Sequence, residues 1–195
     1  MILGITGSIG SGKTTVSNLF RKYGFKVINV DKFYASIYRK NKSLRSKVKE
    51  EFGTISRAKL KKMLFNNTNK LKKLNKITHP VIIDEIKKSI KNIKKADKDL
   101  KIIIDAPLLL EARALNLVDK VIIVKCDEKI QIRRLLKKGK YNKQEIKSII
   151  KSQMPLKEKL KYADFVLDNN NGLKQLEEQV KNMIKIILKN RLRIL

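Results

Sequence analysis

Positions 7–14 read Gly7-Ser8-Ile9-Gly10-Ser11-Gly12-Lys13-Thr14, which has the spacing G-x-x-x-x-G-K-[ST]. That spacing makes a phosphate cradle when it joins a strand to a helix. Glycine lets the backbone adopt positive φ and come close to a ligand. Successive backbone N–H groups then point inward, and the helix dipole adds about half a positive charge at its N-terminus. In such a loop Lys13 reaches the β/γ-phosphates and the Thr14 hydroxyl ligates Mg²⁺. A glycine-rich turn carrying a surface lysine is the plain alternative.

The flanking segments are the ones this chemistry needs. Residues 1–6 form a short apolar run suited to a buried parallel strand, and from 15 to 22 Val16, Leu19 and Phe20 recur at helical spacing. Gly24 stands where a helix-closing glycine often stands. Residues 25–30 alternate into a second strand that ends at Asp31, next in sequence order to the loop strand. From about 33 to 97 the pattern is mostly helical. Leu44, Val48 and Phe52 share a face, and Gly53 stops that segment. Ser56 caps a helix carrying Leu60, Leu64 and Phe65. His79-Pro80 opens a further helix with an apolar face of Ile82, Ile83, Ile86 and Ile90. Strands are expected at 100–105, 118–125 and 165–167, and helices at 128–137, at 142–153 with Asn142 as cap, and from Gly172 to about Arg191. Alternating strands and helices give an α/β fold with a parallel sheet, in which ligands bind beyond the carboxyl ends of the strands. Asp31, Asp105 and the phosphate loop all fall at such ends.

Two carboxylates are therefore candidates for chemistry. Asp31 can accept a proton from a substrate hydroxyl, or orient that hydroxyl toward a γ-phosphate, and its plain alternative is a helix cap. Asp105 ends an apolar run, as a Mg²⁺-linked aspartate does, or it is a simple turn residue. His79 is first a capping or packing histidine. Cys126, the single cysteine, is a small residue just after a strand, and it fits a reducing cytosol.

Composition narrows the class further. With 42% hydrophobic residues the 195-residue chain can bury a real core, and no run of 18 apolar residues is present to span a membrane. The N-terminus carries no secretory pattern, so a cytoplasmic protein is expected. The net charge of +29 favours anionic partners, but the lysines are spread along the whole chain and there is no Trp. Specific nucleic-acid binding is therefore not expected, whereas anionic phosphate substrates are attracted.

Over nearly its whole length the chain resembles the dephospho-CoA kinase family. The resemblance runs from the opening through Asn29-Val30-Asp31, where the family usually has Asp-x-Asp and, at Ser8, a second glycine. It continues through Phe52-Gly53, Ser56-Arg57, Thr78-His79-Pro80 and Asp105-Ala106-Pro107-Leu108-Leu109-Leu110-Glu111. Later matches are Ser152-Gln153, Ala163-Asp164 and Asn169 before Asn171-Gly172. It implies an α/β P-loop kinase core with a five-stranded parallel sheet flanked by helices, at about 1–30, 98–136 and 163–195. A helical CoA-binding subdomain at about 31–97 and a lid at about 137–162 complete the implied organisation.

The implied reaction is transfer of the ATP γ-phosphate to the ribose 3′-hydroxyl of dephospho-CoA, in a monomer or weak oligomer. By the same resemblance Asp31 is base or orienting group. Gly10, Ser11, Gly12, Lys13, Thr14 and Thr15 hold ATP, with Mg²⁺ on Thr14 and Asp105. Arg134 approaches the phosphates, Asn169 lies near adenine, and Arg57 and His79 lie near the CoA precursor. Lys138 and Lys159 stand where lid arginines are expected. Each keeps the charge but not the planar fork that grips phosphate, and a solvated basic face is the alternative for both. Another nucleoside or nucleotide kinase, or an RNA-associated P-loop ATPase, are the competing readings.

Overall fold

The computed structural model describes residues 1–65 and 67–189. The expected end of the last helix near Arg191 lies outside them. Two compact units are present, one made of Met1–Ile28 with the chain from Leu100 onward, the other of Asn29–Asp99.

The first unit is a five-stranded, all-parallel sheet flanked by helices. Its strands are β1 (Ile2–Thr6), β2 (Lys26–Asn29), β3 (Ile102–Asp105), β4 (Lys120–Lys125) and β5 (Phe165–Asp168), in the order β2-β3-β1-β4-β5. Adjacency in sequence does not carry over into the sheet, since β3 and β4, not β2, flank the loop strand β1. Ile5 is level with Asp105 on one side and Ile122 on the other. The central strands read as unbroken apolar runs because helices cover both faces of a parallel sheet. Leu3, Ile5, Ile103, Ile122 and Val124 are fully buried.

Helix α1 (Lys13–Lys22) packs into this core through Val16, Leu19 and Phe20. It ends in a Schellman motif, with the Gly24 amide donating to the Arg21 carbonyl at 3.1 Å and Phe25 to Phe20 at 3.3 Å. The Phe20 and Phe25 rings meet edge-to-face at 5.0 Å, so one turn both closes the helix and aims β2.

The second unit is all helical, with α2 (Val30–Lys40), α3 (Lys42–Phe52), α4 (Arg57–Leu64) and α5 (Thr68–Ala96). Small polar side chains start each helix. Asn29, Asn41, Ser56 and Asn67 accept from the amides of Lys32, Leu44, Lys59 and Lys70. Leu44, Val48, Phe52 and Leu60 form its apolar centre. Phe65 falls one residue past α4 and is exposed.

Two expectations are corrected here. His79-Pro80 does not open a helix, because both residues lie inside the 29-residue α5. A proline in a helix interior costs about 3 kcal/mol. However, the buried stripe of Leu74, Thr78, Ile82 and Ile86 keeps its four-residue spacing across Pro80, and burying that stripe offsets the lost donor. Asp31 does not end a strand either, since β2 stops at Asn29. Asn29 is the cap, and Asp31 lies in the first turn of α2, where a carboxylate suits the helix dipole.

The remaining helices, α6 (Glu128–Lys137), α7 (Lys143–Ser152), α8 (Leu156–Leu160) and α9 (Leu173–Lys189), belong to the first unit. Asn142 and Glu145 cap α7 reciprocally. The five-residue α8 is too short to show periodicity in sequence. No helix among the described residues is long and apolar enough to cross a membrane.

Candidate active site

The phosphate loop leaves the carboxyl end of β1 and enters α1 at Lys13. Gly12, the residue before the helix, has φ +100°, a conformation that L side chains rarely adopt. Gly7, with φ +146°, is confined by space as well, because a Cβ there would lie 2.5 Å from the Val124 carbonyl of β4. The loop is thus pressed against β4 on one side and opens at the N-terminus of α1, where the helix dipole is positive.

Lys13 is buried, and its ammonium donates to the carbonyls of Gly7 at 3.0 Å and Ser8 at 2.9 Å. The cation sits inside the loop from which a triphosphate would be bound. Ser11 is fully buried, whereas Thr14 and Thr15 are exposed at the helix start, so their hydroxyls can be reached by a ligand.

A second layer fastens the loop. Asn169, just past β5, is buried and donates through Nδ2 to the Ser11 carbonyl at 2.7 Å. Its side-chain and backbone oxygens accept from Arg134 Nη2 at 3.3 and 3.0 Å. Arg134 Nη1 also donates to Cys126 Sγ at 3.4 Å. Burial pushes the Cys126 thiol up, and the Arg134 charge offsets only part of that. Gln131 Nε2 donates to the Cys126 carbonyl at 2.6 Å, so α6 is held to the end of β4 by two side chains. Arg134 and Asn169, far apart in sequence, thus meet beside Gly12.

Asp105 is buried at the end of β3, level with Ile5, and the next amide, Ala106, donates to the Ile5 carbonyl at 3.0 Å. This places a carboxylate beside the strand that delivers the loop. Among the described residues no group of three or more His, Cys, Asp or Glu could hold a metal unaided. Mg²⁺ does not need one, since it commonly takes one or two protein oxygens and completes its shell with water and substrate phosphate. The exposed Thr14 hydroxyl and the buried Asp105 carboxylate fit that mode of binding.

Of the two readings of Lys159, a lid cation or a solvated basic face, the second is excluded by its burial. It has no exposed surface, pairs with Glu111 at 2.9 Å and donates to the Pro107 carbonyl at 3.1 Å. Burying a cation is costly unless a partner and further acceptors accompany it, and both are supplied here. Lys138 is exposed at the end of α6.

In the helical unit Asp31 is exposed on α2, Arg57 is exposed at the start of α4, and His79 is half-buried on α5. Sequence reasoning missed two neighbours, Tyr34 and Tyr38, whose rings lie 5.7 Å apart. Burial raises both phenols above the ordinary range, and the Arg57 charge acts on each in the opposite direction. Their aromatic type and four-residue spacing on α2 were the available signal.

A parallel sheet whose central strand delivers a lysine-bearing phosphate loop to a helix N-terminus defines the P-loop nucleotide-binding fold. The fold comparison agrees, because a shikimate kinase structure from Bacteroides thetaiotaomicron superposes with a TM-score of 0.53 at 15% identity, a likeness of fold alone. The chain belongs to the dephospho-CoA kinase family, whose model matches residues 1–175. A dephospho-CoA kinase from Carboxydothermus hydrogenoformans is 38% identical over 192 residues, which is 94% of this chain and 93% of the relative. One from Fusobacterium nucleatum is 37% identical over 194 residues, covering 96% and 98%. The solved dephospho-CoA kinase from Campylobacter jejuni superposes with a TM-score of 0.69 at 26% identity, covering 97% and 98% of the two chains.

Proposed function

We propose that the chain transfers the γ-phosphoryl group of ATP to the ribose 3′-hydroxyl of dephospho-CoA, giving coenzyme A and ADP in the cytoplasm. The observation that carries this reading is the near-full-length likeness to dephospho-CoA kinases in a chain whose phosphate loop is built and braced by its own residues. ATP lies along Gly10 to Thr15, with the α1 amides and the Lys13 ammonium on its phosphates. Arg134, held beside Gly12, adds positive charge where the transferring group develops negative charge. Thr14 and Asp105 would hold Mg²⁺, which would supply positive charge against the triphosphate.

The helical segment 31–97 receives dephospho-CoA, with Arg57 and His79 near it, and within 137–162 the part before Gln153 acts as the lid. Asp31 takes the proton of the 3′-hydroxyl as that oxygen bonds to the γ-phosphorus. The bond from the γ-phosphorus to the β–γ bridging oxygen breaks, and ADP leaves with that electron pair.

The test is a coupled assay with ATP, Mg²⁺ and a panel of acceptors, followed by mass spectrometry. Coenzyme A should form from dephospho-CoA and exceed the product from any nucleoside or nucleotide. No coenzyme A above an enzyme-free control ends the reading. Asp31→Asn should lower kcat by about 10² to 10⁴ with the KM for ATP unchanged.

A further inference from the structure

One tie to the phosphate loop comes from outside the residues assigned above. The Ile9 amide, at the tip of the loop, donates to Gln153 Oε1 at 2.8 Å. Gln153 follows α7 directly and is half-buried, 144 positions away in sequence. Its backbone is held from the other direction. The Met154 amide donates to Glu111 Oε1 at 3.0 Å, and that same oxygen pairs with buried Lys159 at 2.9 Å. Lys159 also donates to the Pro107 carbonyl, which accepts from Thr6 Oγ1 at 3.1 Å. Thr6 is the last residue of β1. The segment 153–159 is therefore fastened both to the strand that enters the loop and to the loop's tip, on either side of Gly7-Ser8.

We infer that Gln153 is a positioning residue, fixing the tip of the phosphate loop in its ATP-ready shape, and that Glu111, paired with buried Lys159, fixes Gln153. This rests on the kinase reading above and deepens it. The tie matters because the loop binds phosphate through backbone amides whose directions must be set before ATP arrives. A loop left to order on binding loses that ordering entropy from its affinity. One neutral hydrogen bond of ordinary strength corresponds to about a 3- to 10-fold change in affinity. Lysine at position 159 suits this role, since a compact ammonium can serve one carboxylate and one carbonyl at once.

The experiment compares wild type with Gln153→Ala and Gln153→Glu. Three measurements are made: hydrogen exchange of the Ile9 amide in ¹⁵N-labelled protein, the calorimetric Kd for Mg-ATP without acceptor, and KM for each substrate. In Gln153→Ala the Ile9 amide should exchange faster. ATP affinity should fall about 3- to 10-fold, while the KM for dephospho-CoA and the melting temperature stay near wild type. In Gln153→Glu the acceptor oxygen remains, so Ile9 should stay protected. ATP should still bind more weakly at low salt, because a negative charge is now placed against the tip of the phosphate loop. Unchanged Ile9 exchange in Gln153→Ala, or unchanged ATP affinity, overturns the inference. Exchange and ATP binding are both read without acceptor, so a different acceptor would overturn the proposed reaction and leave this test intact.

Discussion

Replacing Asn169 with alanine separates two roles for that residue. Its side chain ties the phosphate loop to α6, and by family resemblance it also lies near adenine. In the structure Asn169→Ala removes the 2.7 Å bond to the Ser11 carbonyl and the 3.3 Å bond from Arg134. Arg134 keeps the Asn169 backbone carbonyl at 3.0 Å and Cys126 Sγ, so the guanidinium should loosen without leaving. Each lost bond contributes about 1 kcal/mol, and a carbonyl left unpaired beside a fully buried Ser11 adds to that, for about 2 to 3 kcal/mol in all. For a chain of this size that lowers Tm by roughly 4 to 12 °C. Scanning calorimetry of the protein without nucleotide measures it, with initial rates against ATP and GTP alongside. A fall in Tm with a raised KM for both nucleotides supports the loop tie. An unchanged Tm with only the preference for ATP over GTP reduced refutes it, and leaves Asn169 as a base contact alone.

Three further outcomes follow from the same structure. Gly12→Ala should weaken ATP binding at least about 10-fold, because φ +100° costs a side chain about 1 to 2 kcal/mol and its Cβ would fall on Asn169 Nδ2; calorimetric titration with ATP checks it. Pro80→Ala should raise Tm by roughly 2 to 6 °C, since it restores an amide donor inside α5 at the expense of some unfolded-state entropy; a fall in Tm would show that the helix is shaped around its proline. The third concerns Asp164, whose carboxylate accepts from Lys120 Nζ and the Val121 amide, both at 2.8 Å. Partial burial alone would raise its pKa, but these bonds and the Lys120 charge outweigh it and hold the carboxyl below the usual range. A group with a depressed folded-state value stabilises the fold above its unfolded pKa and loses that contribution as pH falls through the folded one. Asp164→Asn should therefore flatten the loss of stability on acidification below about pH 4, as read by denaturant titration at several pH values.

The legible parts of this protein were those written in local chemistry. The glycine spacing marked the loop, apolar runs marked the strands, and Asn142, Ser56 and Gly24 marked helix ends, because caps and positive-φ turns depend on a residue and its near neighbours. Where a local rule competed with burial, burial won. Pro80 reads as a boundary until the stripe from Leu74 to Ile86 is seen to continue past it. Asp31 reads as the end of a strand and as a candidate cap, but Asn29 offers the same capping chemistry two residues earlier and starts the helix there.

What the sequence determined alone was the kind of chemistry: a phosphate loop with its lysine, carboxylates after apolar runs, and a parallel α/β scaffold to hold them. The tertiary structure decided which distant residues stand behind the loop. Asn169 and Arg134 beside Gly12, Gln153 at Ile9 and Lys159 on Glu111 are pairings across 35 to 158 positions in sequence. No periodicity encodes such pairings. They follow from strand order, which sets β4 beside β1 and β5 beside β4, and from the cost of leaving a buried amide, carbonyl or charge unpaired. Lys159, which the sequence left between a lid cation and a solvated surface lysine, is a buried brace for the same reason.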